Sequence, residues 1–287
     1  MGKSCEIKKF PRTDVGGISM PRMIMGSNWL LGYSHTTGVM DKFIRDTHSE
    51  PNSIKNVIKA YLEYDIDAIM IPSPYDTHMV EAIKRAEDET GKNITRIFTP
   101  GLNVSDTKEA RKEAEKVIKD CKKEGGTFLF PHHSTVEQIV NKNTHKIDRL
   151  PDYLSLIREN DMLPGLSAHM PEIVIFSDAN EYDVETYIQI YNCLGFLMQI
   201  EVEYIHKVIW EAKKPVIAIK PMAAGRTTPF IGITFSYATL RERDMVCLGA
   251  FTEDEVHEDV EIALAAIERR RPNTEGRSSP NKTVIMK

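Results

Sequence analysis

Short apolar runs alternate with amphipathic helical stretches along nearly the whole of this 287-residue chain. The runs are PRMIMGSN, DAIMIP, TRIFTP, GTFLFPHH, MLPGLSAH, VETYIQIYN, PVIAIKP and MVCLGA. Each holds a strand of four to eight residues rich in Ile, Val, Leu and Met, the signature of a strand buried on both faces. Between and after them lie segments of helical periodicity: Ser53–Tyr64, Thr77–Glu89, Asp106–Lys123, material up to Asn160, Pro171–Asp178, Phe196–Lys213, Ile231–Glu242 and Glu253–Arg269. Strands alternating with helices build βαβ units and a parallel sheet. Eight such units in fewer than 290 residues predict a (β/α)8 barrel, an α/β TIM barrel of one domain spanning 1–287. The competing doubly wound sheet calls for a glycine-rich first turn, and no GxGxxG follows any strand. A hairpin at about 5–19, turning at Gly16-Gly17, precedes the first unit, and a polar tail, about 271–287, follows the last.

Composition narrows the class of partner. With 37 basic and 42 acidic side chains the net charge is −5, too acidic for a phosphate-backbone ligand, so nucleic acid is not expected. The first ten residues lack the apolar core of a signal peptide, and no apolar stretch is long enough to cross a membrane. Cys5, Cys121, Cys193 and Cys247 are scattered, as in a reduced cytoplasmic protein. A small-molecule substrate is the expected partner. The helix Phe196–Lys213 has apolar residues on more than one side, which leaves room for a homo-oligomer.

In a TIM barrel the chemistry sits at the carboxyl ends of the strands. There this chain places Asn28, Tyr75, Asp76, His78, Thr99, His132, His133, Ser167, His169, Gln189, Asn192 and Lys220. The loop after the first strand, about Trp29–Pro51, has the length of a lid and carries Trp29, Tyr33 and His35. His132 and His169 end neighbouring strands and are candidate ligands of one divalent metal such as Zn, with Asp76, His78 or His35 as a third. Side-chain alternation forbids both His132 and His133 from facing inward if both are strand-like. The alternative is that one histidine meets a substrate oxygen while the others bond to loops. Lys220 closes a very apolar strand, as an anion-binding group, a Schiff-base former, or half of a mouth ion pair. Asn28, Trp29, Ser167, Asn192 and Arg226 are the expected substrate contacts, and Gly225-Arg226 suits a phosphate or carboxylate. The acids of EDEVHEDVE read as a solvated face, with Glu253, Asp254 and Glu255 complementing a helix N-terminus.

Taken in order, these segments resemble the aldo-keto reductase superfamily. FPRTDVGGISMPRMIMGSNW resembles its N-terminal hairpin and first strand, and GTFLFPHH its fourth strand ending in His. LPGLSAHMPEIV, YIQIYN, VIAIKPMAAGR and CLGAFTEDEVHED are similar to its fifth to eighth strands, the last running into its phosphate-binding helix. The resemblance implies a barrel that reduces carbonyls with NAD(P)H, using Asp, Tyr, Lys and His. It carries the His onto His132 and the Tyr onto Tyr75. The usual catalytic Asp and Lys are not found: IMIPSPYDTH lacks the Asp-Thr-Ala segment, and Pro100 stands about where the Lys belongs. The Ser-Asn pair reads Ser167-Ala168, and Glu255 falls near the arginine that grips the adenosine phosphate. A Tyr without its Lys keeps a pKa near 10 and is a poor acid at neutral pH. The sequence therefore favours an enzyme with a His-rich mouth, using His132, Tyr75 and Lys220. A divergent NAD(P)H-dependent reductase and a non-catalytic binding barrel are the two alternatives.

Overall fold

The computed structural model describes residues 8–274, so Cys5, the first residues of the predicted hairpin and most of the predicted tail lie outside the described residues. Among the described residues there are thirteen strands and eleven α-helices. β1 (Arg12–Val15) and β2 (Ile18–Pro21) form the antiparallel hairpin, and β3 (Met23–Gly26) opens the barrel. The lid segment holds two short helices, α1 (Asn28–Leu31) and α2 (Gly38–Thr47). Then follow α3 (Pro51–Glu63), β4 (Ala68–Ile71), α4 (Thr77–Thr90), β5 (Thr95–Phe98), α5 (Lys108–Lys123) and β6 (Gly126–Leu129). The stretch expected as helical up to Asn160 is more broken. It contains α6 (His133–Val136), a 3-10 turn, the small hairpin β7 (Val140–Asn141) with β8 (Lys146–Ile147), and α7 (Leu150–Glu159). The rest is β9 (Leu163–Pro164), β10 (Leu166–Ala168), α8 (Pro171–Ala179), β11 (Tyr187–Ile190), α9 (Val202–Glu211), β12 (Val216–Ile219), α10 (Pro229–Thr239), β13 (Met245–Leu248) and α11 (Glu253–Glu268).

The parallel sheet runs β10-β11-β12-β13-β3-β4-β5-β6-β9. Its two ends are consecutive in the chain: β9 and β10 are halves of the single predicted fifth strand, interrupted at Gly165. The barrel thus closes through the chain itself. Gly165 is required there by space, since a Cβ would lie 2.3 Å from the ring of Phe130.

Two apolar layers follow from strand alternation. Ile24, Ala68, Ile97, Phe128, Phe130, Ile188, Ile217 and Met245 fill the barrel interior, together with Val15 and Met20 from the hairpin. The hairpin therefore plugs the amino end, and only the carboxyl end opens to ligand. The outward residues pack under the helices, whose apolar stripes carry Ile54 and Ile58, Ile83, Ile118, Ile173 and Val260. Beneath the last two strands Asp244 is fully buried but satisfied, accepting from Val216 N at 2.9 Å and from the Arg241 guanidinium at 2.7 and 2.8 Å. No helix among the described residues is long and apolar enough to cross a membrane.

Candidate active site

A cavity of about 920 Å³ opens at the carboxyl end of the barrel. Its walls include Asn28, Trp29, His35, Thr99, His132, His133, Ser167, His169, Lys220, Arg226 and Cys247. The lid is pinned by aromatic contacts to Phe251, 6.5 Å from Trp29 and 5.4 Å from Phe43 between ring centres, and by a His48 ring nitrogen 3.1 Å from the Phe251 carbonyl.

Lys220 brings a buried cationic side chain to the mouth. It lies just past β12 with φ +59°, a left-handed conformation that costs a residue with a Cβ on the order of 1–2 kcal/mol. The conformation turns its ammonium onto the lid: Nζ lies 2.9 Å from His35 Nε2, and the same nitrogen lies 3.3 Å from Asn28 Nδ2. Burial lowers the Lys220 pKa to about 8. His35 is held below its ordinary value by burial and then by the lysine charge. Beside Lys220, burial pushes the Cys247 thiol up to about 12, which makes it inert as a nucleophile at neutral pH.

Three further histidines line the same cavity. The rings of His133 and His169 stack with centroids 3.8 Å apart, and His132 follows at 4.1 Å from His133. Burial, with the neighbouring His133 second, pulls both His132 and His169 down to about 4. These imidazoles are neutral at physiological pH. His132 Nδ1 is occupied by Ser134 Oγ at 2.7 Å, leaving Nε2 as its available nitrogen. Both His132 and His133 reach the cavity, contrary to simple alternation. The reason is that β6 ends at Leu129, so His132 caps α6 and His133 begins it. A helical turn below, Glu137 puts one carboxylate oxygen 3.6 Å from His133 Nδ1 and accepts from the His169 and Met170 backbone N–H groups at 3.0 and 3.2 Å. Burial opposes ionisation of Glu137, but His133 and the His169 backbone N–H together hold it below the usual carboxylate value. His133, Glu137 and His169 offer ligand atoms within 4.8 Å of one another, and His133 Nδ1 is buried without a hydrogen-bond partner. The donor set suits a divalent ion. The rings stack at an interplanar angle of 19°, so one must rotate before both lone pairs converge.

Several sequence-predicted residues are not brought to this cavity. Tyr75 is 56% exposed, and its hydroxyl donates to Asp120 at 2.7 Å on the outer face of α5. That bond raises its pKa further. Asp76 caps α4 through Met79 N at 3.0 Å, and His78 is exposed on the first turn of that helix. Asn192 is fully buried and folds its own loop, accepting from Leu194 and Phe196 N–H and donating to the Phe196 carbonyl. Arg226, by contrast, lines the cavity, its guanidinium 3.9 Å above the Phe196 ring. Ser167, Asn28 and Trp29 line the cavity. Glu137 was missed, although its spacing four residues after His133 on a helix is a readable signal.

No family model matches the sequence, and no curated protein matches it either. Solved structures do match the fold. A candidate aldo-keto reductase from Pseudomonas aeruginosa superposes with a TM-score of 0.67 at 12% identity, covering 93% of this chain and 100% of its own. The fold is that of the aldo-keto reductase barrels. An aldo/keto reductase from Klebsiella pneumoniae, solved with NADP and acetate, follows with a TM-score of 0.53 at 14% identity over 95% of this chain and 99% of its own. The N-acetylneuraminic acid synthetase of Leptospira borgpetersenii matches at 0.52 and 10% identity, over 97% of this chain and 96% of its own. A synthetase among the matches of this aldo-keto reductase-like barrel leaves the chemistry to be argued from the site.

Proposed function

We propose that the chain is an enzyme of acid–base chemistry, acting in the mouth cavity on a small metabolite that carries a carbonyl and an anionic group. The observation that carries this reading is the Lys220–His35 contact at 2.9 Å, with the neutral imidazoles of His132 and His169 lining the same cavity. Lys220 binds the anionic group or the carbonyl oxygen, as a lysine shifted close to neutrality can also give up its proton. His132, free at Nε2, accepts the proton that leaves the carbon next to the carbonyl and returns it to the product. His169 lies beside it as the second imidazole. Asn28, Trp29, Ser167 and Arg226 orient the substrate. A divalent cation such as Zn would be held by His133, Glu137 and His169, where it would polarise a carbonyl oxygen as a Lewis acid. Asp76 and His78 take no part.

The nicotinamide reading finds less support in these residues. Tyr75 is outside the cavity, and the start of α11 lines it with Glu255 and Glu258, whose acid groups repel a nucleotide phosphate. The neighbour solved with NADP keeps an NAD(P)H-dependent reductase as the second reading. Fluorescence titration with NADPH and NADH separates the two. The first reading predicts no saturable binding, whereas micromolar binding with carbonyl-dependent oxidation would establish the second. Metal content of the purified protein, compared with His133→Ala and His169→Ala, tests the cation: both variants are expected to lose it.

We place the protein in the cytoplasm, in keeping with Cys121, Cys193 and Cys247 being free thiols. Self-association is proposed through Tyr204 and Trp210, which α9 leaves exposed.

A further inference from the structure

The same cavity is lined by basic and acidic groups. Lys220, Arg226 and the histidines line it from the strand ends and the loops after them, while Glu255, Glu258 and Asp259 reach it from α11. Helix-terminal acids have an ordinary explanation, and Glu255 has one: its backbone N–H donates to Thr252 Oγ1 at 3.2 Å and its carboxylate accepts from Phe251 N at 2.7 Å. Asp259 has none. It is about two turns beyond the Thr252 cap, only 2% exposed, lines the cavity, and has no hydrogen bond or ion pair among the described residues. A carboxyl buried this deeply without a partner is costly unless something satisfies it. No lysine or arginine among the described residues forms a salt bridge with Glu255 or Asp259, so the cavity itself is the direction from which a cation can come.

We propose that Asp259, with Glu255 beside it, is a subsite for the ammonium group of an amine-bearing ligand whose anionic end lies at Lys220. The substrate class is then an elongated amino carboxylate. This rests on the reading of the mouth as the substrate site and names what that site takes. An ammonium seated here draws the proton off the buried Asp259 carboxyl, releasing it to solvent, and gives its hydrogen bonds to the carboxylate so formed, whereas a phosphate brings no such partner.

The test is calorimetric titration of the full-length protein with ω-amino carboxylates from aminobutanoate to aminooctanoate, alongside their unsubstituted carboxylates and the matching diamines. At least one amino carboxylate is expected to bind roughly tenfold or more tightly than its carboxylate. Asp259→Asn is expected to erase that advantage, and Lys220→Met to weaken amino carboxylate and carboxylate alike. Carboxylates that bind through Lys220 with no gain from the amine would overturn the subsite and leave the mouth reading standing. Diamines that bind through Asp259 while carboxylates ignore Lys220 would uphold the subsite and overturn the mouth reading. An amine advantage that survives Asp259→Asn would also overturn the subsite. Glu255→Gln gives a second check, with a smaller loss because Glu255 also caps α11.

Discussion

Lys220 Nζ and His35 Nε2 lie 2.9 Å apart, joining the end of β12 to the lid after β3. An ammonium can only donate, so His35 presents a lone pair at Nε2 and carries its proton on Nδ1. The nearby Asn28 amide approaches the same nitrogen as a second donor. One imidazole thus fixes the lid to the lysine at the end of β12. His35→Ala is expected to free the lysine and loosen the lid. A fall in kcat/KM carried mostly by KM, with a proteolytic site opened in 28–48, is the expected result.

Lys220→Met removes a charge that burial disfavours. Its lowered folded pKa, about 8, means the charged form is destabilised in the fold at pH 7, and this cost disappears only as pH rises toward the unfolded value. The variant is therefore expected to be more stable by about 1–2 kcal/mol at neutral pH in denaturant melts and to lose at least ~100-fold in activity. Lost activity with unchanged or lower stability would contradict this assignment of the buried charge.

Asp259 titrates the other way. Burial, followed by the charges of Glu255 and Glu258, raises it to about 8, above its unfolded value. A raised carboxyl favours the fold fully at low pH, and that contribution is lost progressively as pH climbs from about 4 through 8. Asp259→Asn should therefore stabilise the fold more at pH 8 than at pH 5, by an amount reaching about 2–4 kcal/mol in denaturant melts. Equal gains at both pH values would show that the carboxyl is not held protonated by its surroundings.

The barrel seam offers a purely structural check. Gly165→Ala drives a Cβ into the Phe130 ring at the junction of β9 and β10. Phe130 is fully buried and cannot swing to solvent, so a loss of about 2–4 kcal/mol is expected by chemical denaturation. Phe130→Leu should recover part of it.

The architecture was legible because it follows from repetition. Each apolar run and each amphipathic stretch points to one βα unit, and errors in any one do not disturb the others. The fifth strand is the exception, since a break at Gly165 reflects the packing of Phe130 from a neighbouring strand. The site was harder. Lys220, His132, His169, Asn28, Trp29 and Ser167 reach the cavity because strand ends dictate where they lie. Tyr75, Asp76 and His78 do not, because the chain turns outward after β4 and Asp76 is used as a helix cap. Asp259 was hidden among the acids of α11. Helical phase places it next to Val260 and against the barrel, whereas Glu253 and Asp254 remain in solvent.

The central claim is that Lys220 and the imidazoles move protons on an anionic carbonyl compound. Deuterium exchange at the carbon next to the carbonyl, followed by proton NMR in heavy water across a panel of small keto acids and amino keto acids, tests it most directly. Enzyme-dependent exchange is expected with at least one of them, reduced at least ~100-fold in Lys220→Met and in His132→Ala. Absence of exchange across the panel, with NADPH oxidised in the presence of a carbonyl substrate, would contradict the account.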